Sequence, residues 1–149
     1  FIDRTTKRIS TYFDGSDVKH VSMGDPFSIG MRDCLAQACA KLGFAYHDSG
    51  TVVTIEGPRF STKAESIMFR SWGCDIINMS TVPEVVLARE LKLEYQSIAM
   101  STDYDCWHES EEEVTMEMIY AIMEKNVHNV KKLIEHVIPL IIKNCGKGE

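Results

Sequence analysis

Several features that would settle a protein's class at once are missing from this sequence. No apolar run approaches the ~20 residues a membrane-spanning helix needs. The strongest one near the end, Val137 to Ile142, is short and contains Pro139. No signal-peptide pattern occurs, so no membrane partner is expected. Basic residues are scattered and the formal net charge is -6. Phosphate backbones are bound by clustered Lys and Arg, so no nucleic-acid partner is expected either. The five cysteines, at 34, 39, 74, 106 and 145, form no C-x-x-C pair. Their odd number and their place in apolar segments point to a reducing compartment without a disulfide framework. The histidines show no zinc-like spacing with them, and no metal is expected. Neither G-x-x-x-x-G-K-[ST] nor G-x-G-x-x-G occurs, and there is no internal repeat or low-complexity linker.

What is present is ordinary in bulk and ordered in pattern. With 149 residues, 44% of them hydrophobic and 26% charged, the chain suits one globular domain. Phe1 to Thr6 reads as the end of a strand, and Asp14-Gly15 in "YFDGSD" as a turn. From Pro26 to Leu42 apolar residues recur at spacings of three and four, which predicts a helix stopped by Gly43. "TVVTIE", Thr51 to Glu56, is β-branched and short, hence a strand. A helix is expected from Thr62 to Trp72, a second short strand from Asp75 to Met79, and a helix with Pro83 in its first turn. A third strand is expected from Glu94 to Met100. After the acidic run "ESEEE", a long helix should run from about Thr115 toward Ile138, and the tail "KNCGKGE" should fray. Alternating strands and helices specify an α/β layer architecture.

Ligands of open α/β sheets gather beyond the carboxyl ends of the strands. Three such exits stand out here: "EGPRFS", "NMST" and "STDYDCW". They offer an aromatic face (Phe60), hydroxyls (Ser61, Ser80, Thr81) and two carboxylates (Asp103, Asp105). Each has a plainer use. The hydroxyls could cap helices, Phe60 could be core, and the aspartates could bond their own turns. A magnesium site or a glycosidase-like acid pair are rival uses for the carboxylates. Taken together, the three exits could form one pocket suited to a flat, uncharged, nitrogen-rich ligand.

"TVVTIEGPRFSTKAES", "NMSTVPEVVLARE" and "SIAMSTDYDCW", in that order and spacing, closely resemble the trimeric purine nucleoside phosphorylase family, in its branch that cleaves methylthioadenosine. The resemblance runs from "FIDRTT" to about the long helix. It implies an α/β fold with a mixed central sheet flanked by helices. The implied reaction is phosphorolysis of the N-glycosidic bond of 5′-methylthioadenosine, giving adenine and 5-methylthioribose 1-phosphate. Inorganic phosphate is the co-substrate and no cofactor is implied. By match to the family, Asp103 shares a proton with purine N7 and Asp105 holds the 6-amino group. Relatives that prefer 6-oxopurines carry Asn in this loop, so two aspartates imply adenine. Phe60 matches the aromatic on the base and Ile77 its apolar neighbour. Ser61 stands where 6-oxopurine relatives have Glu. In "NMST", Asn78 belongs to the substrate-binding stretch, Met79 lines the ribose and Ser80 holds phosphate. His20 matches a residue that reaches a neighbouring subunit's pocket. Met116, Ile119, Tyr120 and Met123 match the wall for the alkylthio end. Tyr104 is expected to turn into packing and Trp107 to brace the loop.

Two departures qualify the resemblance. Ser80 and Tyr120 replace the usual Thr and aliphatic residue of the methylthioadenosine branch, which leaves a broader purine nucleoside phosphorylase as an alternative. The family's phosphate loops belong before Phe1, and no initiator Met is present. Residues 1–149 are therefore expected to be the carboxyl-terminal portion of a single phosphorylase domain, inactive alone. An inactive binding or assembly fragment is the second alternative. The resemblance further implies a homotrimer and a cytoplasmic location, with the nucleus open as a second compartment.

Overall fold

The computed structural model of the chain describes residues 1–15, 18–108 and 116–145, without the side chains of Met116 and Cys145. Ser16 and Asp17 of the expected turn, the acidic run and the last four residues lie outside the described residues. The elements are β1 (Ile2–Arg4), α1 (Ile29–Leu42), β2 (Val52–Ile55), α2 (Lys63–Ser71), β3 (Ile76–Asn78), α3 (Thr81–Glu90) and α4 (Met116–Cys145). They divide between two compact units.

The first unit comprises residues 1–27, 49–97 and 104–110. Its three strands lie in the order β1-β2-β3. Both pairings are parallel, with Ile2 opposite Val53 and Val53 opposite Ile77. No antiparallel pair occurs among the described residues, so the mixed sheet expected from the resemblance is seen only in its parallel part. Val52, Val53, Phe69, Val82 and Val85 are the buried apolar side chains of this unit. Helix α2 starts with a capping box: Thr62 Oγ1 accepts from Glu65 N–H and the Glu65 carboxylate accepts from Thr62 N–H. Val82 is extended (φ -100°, ψ 131°), as a residue before proline prefers, and the regular part of α3 begins at Pro83.

In the second unit, residues 28–48, 98–103 and 111–149, α1 packs on α4. Cys34, Ala38, Cys39, Leu133 and Val137 form its buried core, with Ile98, Leu140 and Ile141 against it. Ser28 caps α1 through Met31 N–H, and Gly43 ends it in the left-handed conformation (φ 68°). Helix α4 does not stop at Ile138 as expected but continues through Pro139 to Cys145. Proline removes one backbone bond, yet Leu140 and Ile141 beyond it still pack on the core, and packing sustains a helix more than propensity does.

The strand expected at Glu94–Met100 does not form; these residues join no sheet. The run is apolar for a different reason. Tyr95 packs on Phe27 and donates to Glu84 at 2.7 Å within the first unit, whereas Ile98 belongs to the core of the second. Burial and the Glu84 carboxylate push the Tyr95 phenol above its ordinary range.

One residue ties the carboxyl ends of β2 and β3 together. The Arg8 guanidinium donates to four carbonyls, those of Met79, Val82, Ile55 (3.3 Å) and Glu56 (2.8 Å). It also pairs with the Glu56 carboxylate at 3.8 Å. Lys offers three donors on a point charge and cannot span such a set. Replacing Arg8 by Met should lower stability by about 2 kcal/mol or more, because partly buried carbonyls lose a charged donor. Arg8→Lys should recover less than half of the loss. The denaturant midpoints of the two variants test this.

Candidate active site

In a parallel sheet all carboxyl ends face one way, so the segments after β1, β2 and β3 leave the same edge. The segment after β1 is held by Glu56, which accepts from Thr6 N–H (2.6 Å) and Lys7 N–H (3.1 Å). Those two backbone bonds, with Arg8 nearby, hold the Glu56 carboxyl below its ordinary value. After β2 the chain turns at Gly57 (φ 68°), where a Cβ would lie 2.6 Å from Met79 Sδ. Its left-handed backbone requires glycine, while the Met79 side chain, met at its flexible end, would have to shift to admit a Cβ.

The turn delivers Phe60 and Ser61. Phe60 is not core: 82% of it is exposed, leaving the ring free. Nor is Ser61 the cap of α2, a place that Thr62 takes. Its Oγ is buried and has no hydrogen-bond partner among the described residues. Arg59 forks onto Glu65 at 2.7 and 2.8 Å. Arg59 first, and the Thr62 N–H second, pull the Glu65 carboxyl down to about 2.

After β3, Asn78 is a hub rather than an open ligand group. Its Oδ1 accepts from Thr54 Oγ1 at 3.0 Å and its Nδ2 donates to Thr81 Oγ1 at 2.7 Å. Longer contacts of 3.4 Å join Oδ1 to the N–H groups of Ser80 and Thr81. The Ser80 hydroxyl caps nothing and is exposed. Ile77 and Met79 are half-buried on either side of Asn78.

The two carboxylates do not leave a strand, contrary to expectation, and they belong to different units. Asp105 is in the first unit and half-buried. Its Oδ1 accepts from Cys106 N–H at 2.9 Å and its carbonyl from His108 N–H at 3.0 Å. Its Oδ2 has no partner among the described residues. The Cys106 thiol donates to the Ser61 carbonyl at 3.5 Å, bringing the Asp105 loop beside Phe60 and Ser61. Tyr104 does not turn into packing; it is 69% exposed and stacks on His108, with ring centroids 4.5 Å apart. Trp107 is half-buried and braces the loop as expected.

Asp103 lies in the second unit, exposed, and accepts from the Thr102 hydroxyl at 2.6 Å. Asn126 of α4 anchors this segment by donating to the Ser101 carbonyl at 2.9 Å. On the same helix Ile119 is half-buried, while Tyr120 and Met123 are exposed; the Met116 side chain lies outside the described residues. His20 is exposed in the first unit. Structure thus brings together Phe60, Ser61, Ile77, Asn78, Met79, Ser80 and Asp105 in one unit. Asp103, Ile119, Tyr120 and Met123 share the other.

A cavity of about 250 Å³ in the first unit is lined by Arg4, Thr6, Glu56, Arg59, Ser61 and Phe69, among others. Of the expected purine-site residues it touches Ser61 alone, so it is not the expected base pocket. Sequence reasoning missed Arg8, Asn126 and the internal duty of Asn78. The one local clue was polarity: Arg8 and Asn78 are hydrogen-bonding side chains beside or at strand exits, and Asn126 is a polar residue on α4.

The chain belongs to the phosphorylase superfamily, whose family model matches residues 1–139. Among curated relatives, the S-methyl-5'-thioadenosine phosphorylase of Danio rerio is 51% identical over 146 residues, 95% of this chain and 52% of that protein. The S-methyl-5'-thioadenosine phosphorylase of Aedes aegypti is 53% identical with the same coverage. The chain spans about half the length of the curated relatives it matches. The crystal structure of a methylthioadenosine phosphorylase from an antarctic soil metagenomic library superposes with a TM-score of 0.89 at 40% identity, over 95% of this chain and 50% of that one. Methylthioadenosine phosphorylase from Schistosoma mansoni in complex with adenine gives 0.87 at 36%, over 99% and 58%.

Two outcomes follow from this geometry. Gly57→Ala should strain the turn and displace Met79, with a loss of stability of about 1–3 kcal/mol; a crystal structure or the unfolding midpoint would register it. Glu65 has a depressed folded value, so its contribution is complete above its ordinary value of 4.5 and is lost as pH falls toward about 2. The midpoint difference between the parent and Glu65→Gln should therefore shrink across that window.

Proposed function

We propose that residues 1–149 supply the purine-base side, part of the ribose side and the alkylthio wall of a 5′-methylthioadenosine phosphorylase. The observation that carries this reading is the meeting, in one unit, of the exposed Phe60 ring, Ser61 and the Asp105 loop at the carboxyl edge of a parallel sheet. Relatives of about 50% identity that bear that activity in their names support it.

In this mechanism phosphate, held in part by the Ser80 hydroxyl, attacks ribosyl C1′ as the C1′–N9 bond breaks. The bonding pair leaves with adenine, and Asp103 gives or shares a proton at N7 to neutralise it. Asp105 accepts from the 6-amino group through its unpartnered oxygen. Phe60 and Ile77 pack on the base and Met79 lines the ribose. Met116, Ile119, Tyr120 and Met123 receive the methylthio group. His20 reaches the pocket of a neighbouring subunit in a homotrimer. No cofactor takes part, and the enzyme acts in the cytoplasm, with the nucleus as a second compartment. The phosphate loops come from the rest of the phosphorylase domain, so the isolated 149-residue chain is inactive. Full phosphorolysis by that chain alone would refute this division.

Ser80 and the exposed Tyr120 favour one second reading, a nucleoside phosphorylase that also accepts a 5′-hydroxyl. Comparing methylthioadenosine, adenosine and inosine on the complete enzyme separates the two. Efficient inosine turnover would overturn the assignment of Asp103 and Asp105. Asp103→Ala should lower kcat by roughly 100-fold or more, whereas Glu135→Ala, an exposed carboxylate on α4, should leave it unchanged. Equal effects would refute the role of Asp103.

A further inference from the structure

The loop that carries Asp105 has little regular structure of its own. The hydrogen bonds that Asp105 makes are local, to Cys106 N–H and His108 N–H. Such a turn fixes its own shape but not its place against the base wall. The contacts that place it come from α2 and from the residue two before that helix. The Arg70 guanidinium lies over the Trp107 ring, 3.9 Å from its centroid. Cys106 Sγ reaches the Ser61 carbonyl. A thiol is a weak donor, so the cation over the indole face is the stronger hold.

Arg70 is itself well placed to act as a fixed post. Its neighbour Phe69 is 5% exposed in the core and meets Trp72 edge-on. At the other end, α2 is closed by the Thr62–Glu65 capping box and the Arg59 fork. On the loop side, Trp107 touches Tyr104 and His108 edge-on, and those two rings stack on each other at 13°. Arg70 therefore grips one ring of a three-ring cluster, and Asp105 lies between the rings in sequence.

The geometry points to Arg70 as a positioning residue for base recognition. By gripping Trp107 it holds the Asp105 carboxylate at the distance from Phe60 and Ser61 that a 6-aminopurine requires. Arg70 does not touch the substrate. This inference rests on the proposed function for its substrate, though not for the clamp itself. A loosened clamp should weaken the bond to the 6-amino group and leave the chemistry at C1′ alone.

The test uses the complete enzyme and the variants Arg70→Leu, Trp107→Phe and Trp107→Leu. Two substrates are compared: methylthioadenosine and its analogue with hydrogen in place of the 6-amino group. Arg70→Leu, which removes an exposed cation from a half-buried indole, should raise KM for methylthioadenosine roughly 3- to 5-fold, the scale of one such cation–aromatic contact, with kcat nearly unchanged. KM for the 6-hydrogen analogue should move less than about 2-fold, since it never bonded Asp105. Trp107→Phe should retain most of the parent's preference and Trp107→Leu should copy Arg70→Leu. Hydrogen exchange of the peptide spanning 104–108 should quicken in Arg70→Leu. Equal losses on both substrates, or unchanged exchange, would overturn the proposal. If the parent enzyme releases no adenine from methylthioadenosine, the proposed function fails, and exchange at 104–108 alone decides the clamp.

Discussion

Parallel strands end in carbonyls that no ladder satisfies, and at the ends of β2 and β3 one guanidinium takes up three of them, with a fourth from the entry to α3. Arg8 bonds Ile55 and Glu56 on one side and Met79 and Val82 on the other. The turn at Gly57 and the entry to α3 both start from these fixed points. Five planar donors on one rigid group make that possible, and the paired Glu56 keeps the charge from standing alone. Phe60, Ser61, Met79 and Ser80 follow directly on the atoms Arg8 holds. The carboxyl edge of the sheet is thus a frame set by long-range bonds, and the loops hang from it.

Around that frame, polar side chains divide into those engaged by the protein and those left open. Asn78 is engaged on both its oxygen and its nitrogen, which orients Thr81 and the backbone of Ser80. The Ser80 hydroxyl, the Ser61 Oγ and one oxygen of Asp105 have no protein partner among the described residues. Of the three, only the Ser61 Oγ is buried, and a buried polar atom without a partner is costly unless something else meets it. The division is what a site for a hydrogen-bonding small molecule needs: rigid supports behind, unmet acceptors and hydroxyls in front.

Much of the fold was legible because it is written in local pattern. Helical spacing located α1, α2 and α4, and β-branched runs located β2 and β3. Gly43 and Pro83 marked a helix end and a helix start for reasons of backbone geometry alone. The errors share a cause. Glu94–Met100 has the composition of a strand, but its apolar residues belong to two different cores. Pro139 is a local stop signal that packing overrides. Tyr104 finds its partner in His108 on the surface, which no spacing rule would have suggested.

By itself, the sequence determined the α/β class, the order of the elements apart from the strand expected at Glu94–Met100, and three motifs specific enough to name a family. These depend on residues within a few positions of one another, and short-range sterics and periodicity read such neighbours directly. Only the tertiary structure decided that Arg8 reaches 71 and 74 residues along the chain. It also decided that Cys106 finds the Ser61 carbonyl 45 residues away, and that Asp103 and Asp105 belong to different units. Contacts of that kind join single polar side chains to distant backbone. They leave no period and no motif in the sequence, so they emerge only when the elements have packed.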